Sequence, residues 1–203
     1  MKQLILFFMM LIMVNVAAPS VLAAMERESN QQKAKAEQDA VFNRLTEFTT
    51  PGERHQFLKS LEGSWNAKIT FRAAPEVPYA EMQNTAKAKM IMDGRYLDKW
   101  ITGSDGSFKA RITYGFDNFR KEFTITWIDN MCTGMITSTG VYDDATKTLN
   151  EQGNLSCPLT NQPHRWFRAA TKFIDSDHYT YEMYKKDNDG EEFRGMLIEF
   201  TRI

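Results

Sequence analysis

Beyond Gly63 the sequence alternates apolar and polar residues with a period of two, and that alternation leaves few folds open. Trp65, Ala67, Ile69 and Phe71 fall on one face of an extended segment, with Asn66, Lys68, Thr70 and Arg72 on the other. This is the pattern of a strand with one buried side. It recurs in SFKARITYGF, where Phe108, Ala110, Ile112, Tyr114 and Phe116 oppose Lys109, Arg111 and Thr113, and again at Phe123, Ile125 and Trp127. The breaks between runs are short and rich in turn formers: Asp117-Asn118, Asp143-Asp144, Asp175-Ser176-Asp177 and Asn188-Asp189-Gly190. About ten strands result, over 64–73, 83–92, 94–103, 108–117, 121–130, 133–142, 147–157, 164–174, 178–186 and 192–202. Links this short join antiparallel neighbours, because parallel strands need crossovers of about a dozen residues or more. Many strands, each with one apolar face and no second sheet to cover it, are best satisfied by curling until the first meets the last. Closure also removes the exposed edges. The expected fold is all-β, an antiparallel up-and-down β-barrel of about ten strands, with a two-sheet sandwich as the alternative.

The segment before this pattern is of another kind. Lys2, an uninterrupted apolar stretch from Leu4 to Val14 and small residues at Val21-Leu22-Ala23 make the three parts of a secretory leader. Cleavage is expected after Ala23, with Ala24 next in order. The apolar stretch is shorter than the roughly 20 residues needed to span a bilayer, so a leader is preferred to an anchor. No later segment is long and apolar enough to span, and no Cys near the cut suggests lipidation. The expectation is a periplasmic or secreted protein. Residues 24–49 form a polar lead-in, helical or partly disordered, whose Val41, Phe42, Leu45 and Phe48 are spaced to dock the last two helical turns. Thr50-Pro51-Gly52-Glu53 reads as a helix start with Thr50 as cap and Glu53 closing a capping box; Phe57, Leu58 and Leu61 give its apolar face, and Gly63 ends it. One or two short helices therefore precede a barrel domain over 50–203. The net charge is −1, with both signs interspersed, so no basic stripe recommends nucleic acid as a partner.

PGERHQFLKSLEGSW, MIMDGRYL, YGFDNFRKEFTITWIDNMCTGMITSTGVYDDATKTL and DGEEFRGMLIEFTRI together resemble the bacterial family of uncharacterised proteins called DUF1579, which is regarded as lipocalin-like. The resemblance runs from Thr50 to Arg202. It implies a barrel whose first strand opens on Gly63-Ser64-Trp65 and whose last carries Arg202 across that Trp. The role so implied for Gly63, Trp65 and Arg202 is barrel closure. The resemblance implies no activity.

Residues that could carry chemistry are few. Cys132 and Cys157 flank a hairpin expected to turn at 143–146, which sets them opposite one another. In an oxidising compartment a disulfide is the preferred reading, with two buried free thiols as the alternative. No CxxC pair suggests redox catalysis. His55, His164 and His178 lack metal-ligand spacing, and no metal or cofactor is expected. His55 reads as structural, and His178 is the one candidate for an axial haem ligand of the kind found in nitrobindin-like barrels. No nucleophile elbow, phosphate loop or dinucleotide fingerprint occurs.

What remains is the barrel lining, where a polar residue on an apolar face must be paired or meet a ligand. In RYLDKWI either face mixes charge with bulk, Arg95, Leu97, Lys99 and Ile101 on one and Tyr96, Asp98 and Trp100 on the other. In HYTYEMY, Glu182 shares a face with His178, Thr180 and Tyr184; in WFRAATKF, Arg168 lies with Trp166 and Ala170. Tyr114, Trp127, Glu182, Arg95 and Arg168 are the candidate ligand-binding residues. They suit a small amphipathic molecule with an aromatic or acyl body and a polar head. The leading expectation is an exported ligand-binding barrel without catalysis. The alternatives are a filled barrel that meets a protein partner in the envelope, then a haem-binding barrel or an enzyme.

Overall fold

A computed structural model describes residues 2–187 and 189–203, with side chains described at 20–158, 160–187 and 189–203. The side chains of most of the expected leader, and Asn188 of the last expected turn, lie outside what is described.

The chain forms two compact units, one up to Thr50 and one from Pro51 to Ile203. The first is helix α1 (Lys2–Thr49), a single element of 48 residues where a short or partly disordered lead-in was expected. Residues 25–48 contain no Gly or Pro and are rich in Ala, Glu, Gln and Lys, all good helix formers. The hydroxyls of Thr46, Thr49 and Thr50 donate to the carbonyls of Phe42, Leu45 and Thr46, four residues back. Val41, Phe42, Leu45 and Phe48 are exposed. Among the described residues no helix is long and apolar enough to cross a membrane.

The second unit starts with α2 (Glu53–Lys59) and continues through β1 (Gly63–Phe71), β2 (Ala80–Ile91), β3 (Tyr96–Gly103), β4 (Lys109–Asp117), β5 (Glu122–Asp129), β6 (Ile136–Asp143), β7 (Thr148–Cys157), β8 (Gln162–Phe173), β9 (His178–Lys186) and β10 (Glu192–Arg202). The strands pair in sequence order, and β10 pairs with β1 to close an antiparallel barrel. The alternating faces place Trp65, Ala67 and Ile69, then Ala110, Ile112 and Tyr114, in the buried interior.

Helix α2 plugs one end of the tube. Leu58 is fully buried, and Phe57 meets Phe123, Tyr142 and Phe173 at ring-centroid distances of 5.9, 4.5 and 4.8 Å. Arg54 ties the plug to the β6–β7 turn through a two-pronged ion pair with Asp144, at 2.9 and 2.6 Å. The helix starts later than Thr50: Gly52 is its N-cap, and His55 Nδ1 accepts the Gly52 N–H at 3.0 Å in the place expected for Glu53. His55 is buried, its ring edge-on to Phe116, and burial lowers its pKa, opposed by a bond to the Phe116 carbonyl. It is a neutral, structural histidine.

Closure at the plugged end is local and specific. Arg202 faces Trp65 across the β1–β10 seam, its guanidinium 4.0 Å from the indole centroid. The Arg202 fork donates to the carbonyls of Glu62 (2.7 Å) and Ser60 (2.9 Å), and its Nε to Ser176 (3.0 Å). The indole N–H donates to Leu61 at 3.1 Å. Gly63 has φ of +120°, and a Cβ there would come within 2.9 Å of Arg202 Nη1, so a side chain is excluded twice over.

The expected disulfide is not formed. Cys132 and Cys157 are free thiols, the first exposed and the second buried. Thr137 faces Asn154, so the β6–β7 hairpin is centred one residue later than expected, and Cys132 lies in the loop before β6. Cys157 faces Gln162 of β8 instead. Unreduced, denatured protein should therefore yield two thiols per chain with Ellman's reagent, and native protein should yield Cys132 quickly and Cys157 slowly. A count of zero would restore the bridge.

Candidate ligand cavity

The half of the barrel remote from α2 is not filled. It holds a cavity of about 250 Å³ walled by Ile69, Phe71, Phe108, Ile112, Tyr114, Ile125, Trp127, Phe167, Tyr181 and Ile198, among others. Asp129, Met131 and Lys185 line it at the open rim, and Met131 is exposed, so the cavity reaches solvent there.

Three polar side chains interrupt this apolar wall at depth. Ser138, Glu151 and Thr171 project from β6, β7 and β8, and all three are buried. Glu151 stands opposite Gly140, where a Cβ would lie 3.0 Å from the Glu151 Cβ and 2.7 Å from the Asn150 carbonyl oxygen. The bare glycine is what makes room for the acid. Ser138 Oγ donates to Glu151 Oε2 at 2.5 Å. Glu151 Oε1 and Thr171 Oγ1 have no partner among the described residues. An unpaired buried polar atom costs about 1–3 kcal/mol, so two of them on one cavity wall mark a place where a partner is missing.

Behind the cavity lies Lys99, 1% exposed. Its ammonium donates to the Tyr179 hydroxyl at 2.8 Å and lies 4.9 Å from the ring centroids of Tyr114, Tyr179 and Phe200. Burial drives the Lys99 pKa down to about 7 against the pull of Glu151. Burial also drives Glu151 up to about 7, opposed by the Ser138 hydrogen bond and by Lys99. Tyr114, Tyr179 and Tyr181 are pushed upward, chiefly by burial, and remain neutral phenols. Lys185 at the rim is lowered, first by burial and then by Arg165. Next to it, burial opposes ionisation of Cys157, but hydrogen bonds from Thr160 and Arg165 outweigh it and bring the thiol down to about 7. The Arg165 bond to Cys157 Sγ is 3.3 Å.

Of the residues singled out in the sequence, Tyr114 and Trp127 line the cavity, and the Trp127 indole N–H donates to Asp129 at 2.6 Å. Three others do not. Glu182 lies on the outer face of β9, where it accepts from the Tyr184 hydroxyl and faces Arg194 at 3.5 Å. Tyr179, Tyr181 and Met183 turn inward instead, the bulkier apolar set winning the interior. Arg168 is also outside, exposed and paired with Glu192 at 2.7 Å, and it stacks over Tyr184 at 4.1 Å. Arg95 sits in the β2–β3 turn at the plugged end. His178, the haem candidate, is at the plugged end opposite Thr201, half exposed and bonded to Asp175 at 2.9 Å. Among the described residues no group of three or more His, Cys, Asp or Glu is placed to hold a metal.

Glu151, Thr171, Ser138 and Lys185 escaped the sequence reading. A signal for Glu151 exists: it shares its face of β7 with Leu149, Leu155 and Cys157. Lys99 was read on a face with Leu97 and Ile101, both of which are fully buried.

Fold and cavity together define a class: a closed, ten-stranded, up-and-down barrel, plugged at one end and hollow at the other. Within it, the chain belongs to the family described as "Protein of unknown function (DUF1579)", which matches residues 50–202. No curated protein matches the sequence. Among solved structures, Rv2717c from M. tuberculosis superposes with a TM-score of 0.53 at 13% identity, over 76% of this chain and 99% of that one. A protein of unknown function from the DUF3598 family of Nostoc punctiforme gives 0.36 at 14% identity, over 72% and 48%. The first similarity is one of fold.

Proposed function

We propose that this protein is an exported carrier that holds a small, largely apolar molecule in the open half of its barrel. The observation that carries the reading is the cavity of about 250 Å³, largely apolar in its wall, into whose depth the unpartnered Glu151 Oε1 and Thr171 Oγ1 are set. Ligand pockets start near roughly 300 Å³, and apolar cavities of about 150 Å³ already take up benzene. The volume therefore suits a small ligand and disfavours the filled-barrel alternative. The leader-like residues 1–23 support export. Tyr114 and Trp127 supply flat aromatic wall for the ligand body.

Native mass spectrometry of protein purified without denaturation from the cells that make it tests the reading. The expected result is a co-purifying mass, lost on gentle organic extraction and absent from Trp127→Ala. Bare protein under several lysis conditions, together with no uptake of added toluene, would overturn it.

A further inference from the structure

Resting on the reading of the barrel as a carrier, we infer that the ligand's head is a hydroxyl seated between Glu151 and Thr171. Leu149 faces Thr171 and Glu151 faces Ala169 across the β7–β8 ladder. Glu151 and Thr171 are thus diagonal neighbours on the inner face, a spacing that one bridging group spans with a hydrogen bond to each. Both are more than nine-tenths buried, at 5% and 3% exposed, both line the cavity, and each holds one polar atom without a partner.

The chemistry of these two atoms selects among heads. A hydroxyl donates one hydrogen bond and accepts others. It can donate to Glu151 Oε1 and accept from the Thr171 hydroxyl, leaving the Ser138 bond to Oε2 in place. A carboxylate head would bring acceptors only against the Glu151 oxygens, with no cation beside them: Lys99 is held by Tyr179, and Lys185 stands at the rim. An ammonium head would bring three donors to a place with two free acceptors, Glu151 Oε1 and Thr171 Oγ1. The rest of the wall offers contact to an apolar body, with the phenols of Tyr114 and Tyr181 among it.

The test uses the full barrel and three probes that share one chain: 1-octanol, octanoate and octylamine, titrated at pH 7.5 with the fluorescence of cavity-lining Trp127 as readout. Toluene serves as a headless control. The expected result is 1-octanol binding roughly tenfold or more tighter than either charged probe, the factor expected for one well-made hydrogen bond. Thr171→Val should weaken 1-octanol by about tenfold and Thr171→Ser should restore it, with circular dichroism and melting curves checking that both variants fold. Tightest binding of octanoate or octylamine, or an unchanged 1-octanol affinity in Thr171→Val, overturns the hydroxyl head while leaving the carrier reading intact. Failure of every probe, toluene included, overturns the carrier reading itself.

Discussion

Trp65→Ala lowers the stability of the barrel by about 3–5 kcal/mol, the range for truncating a large buried aromatic side chain. Trp65 is 1% exposed and sits on the strand that closes the barrel. Its ring is covered by Arg202 at 4.0 Å and met edge-on by Tyr179 at 4.8 Å, and its N–H holds the Leu61 carbonyl at the end of the plug. Truncation removes all of these contacts and leaves Arg202 without the face on which it lies. For a domain of this size each kcal/mol is worth roughly 2–4 °C of melting temperature, so a fall of about 10 °C or more is expected. Urea unfolding followed by circular dichroism measures it. Arg202→Lys is the companion: it keeps the charge but loses the planar fork that reaches Ser60 and Glu62 together, so it should cost less than Trp65→Ala and more than a surface substitution. A loss below about 1 kcal/mol for Trp65→Ala, the level of an ordinary surface change, would mean that the seam is held elsewhere.

Lys99→Met should make the protein more stable at pH 7, and the advantage should shrink as pH rises. The folded-state pKa of Lys99 is depressed from 10.5 to about 7. A depressed group contributes stability that is present above its unfolded pKa and is lost as pH falls through the folded value. In the wild type that stability is fully lost below pH 7 and returns as pH rises toward 10. At 1.36 kcal/mol per pH unit, the expected gain between pH 7 and 10 is about 4 kcal/mol. Glu151 acts with the opposite sign. Its pKa is raised from 4.5 to about 7, so its stability is full below 4.5 and is lost as pH rises to 7. The two groups together give the wild type a stability minimum near pH 7, and Lys99→Met removes its alkaline limb while Glu151→Gln removes its acid limb. Urea unfolding at unit pH steps from 5 to 10 resolves both. A wild-type-to-variant difference that stays constant from pH 7 to 10 would mean that Lys99 keeps its charge inside the barrel.

The fold was legible because most of the strands carry a clear period-two face. Trp65 to Phe71 and Phe108 to Phe116 leave no ambiguity about which residues turn inward, and ten such runs with short links close naturally. The pairing of the two cysteines failed at a single turn. Asp143 stays in the strand, and its carboxylate accepts the N–H groups of Ala145 and Thr146 and the Thr146 hydroxyl. The bend therefore falls one residue later and ends on Lys147 at a φ of 52°. No pattern of apolar residues encodes that. The site was half legible. Aromatic residues on a clean face, Tyr114 and Trp127, were found. Glu151 lies in LNEQGNLSC on the face of Leu149, Leu155 and Cys157, but Glu151 and Gly153 interrupt that stripe, so the inner face is marked only at its two ends. Glu182 reads as a polar residue on a mixed face with His178, Thr180 and Tyr184, yet Tyr179, Tyr181 and Met183 form the better interior face of the same strand. For Glu151 the inside also depends on what the neighbouring strand leaves room for, as at Gly140.

In the proposed carrier, the plug that α2 makes with Phe57 and Leu58 would also govern exchange. A tube stopped at one end has a single doorway, so a newcomer has no way to push the resident out from behind. Turnover of the contents then waits for spontaneous departure, and adding more competitor fills vacated barrels without hastening the vacating.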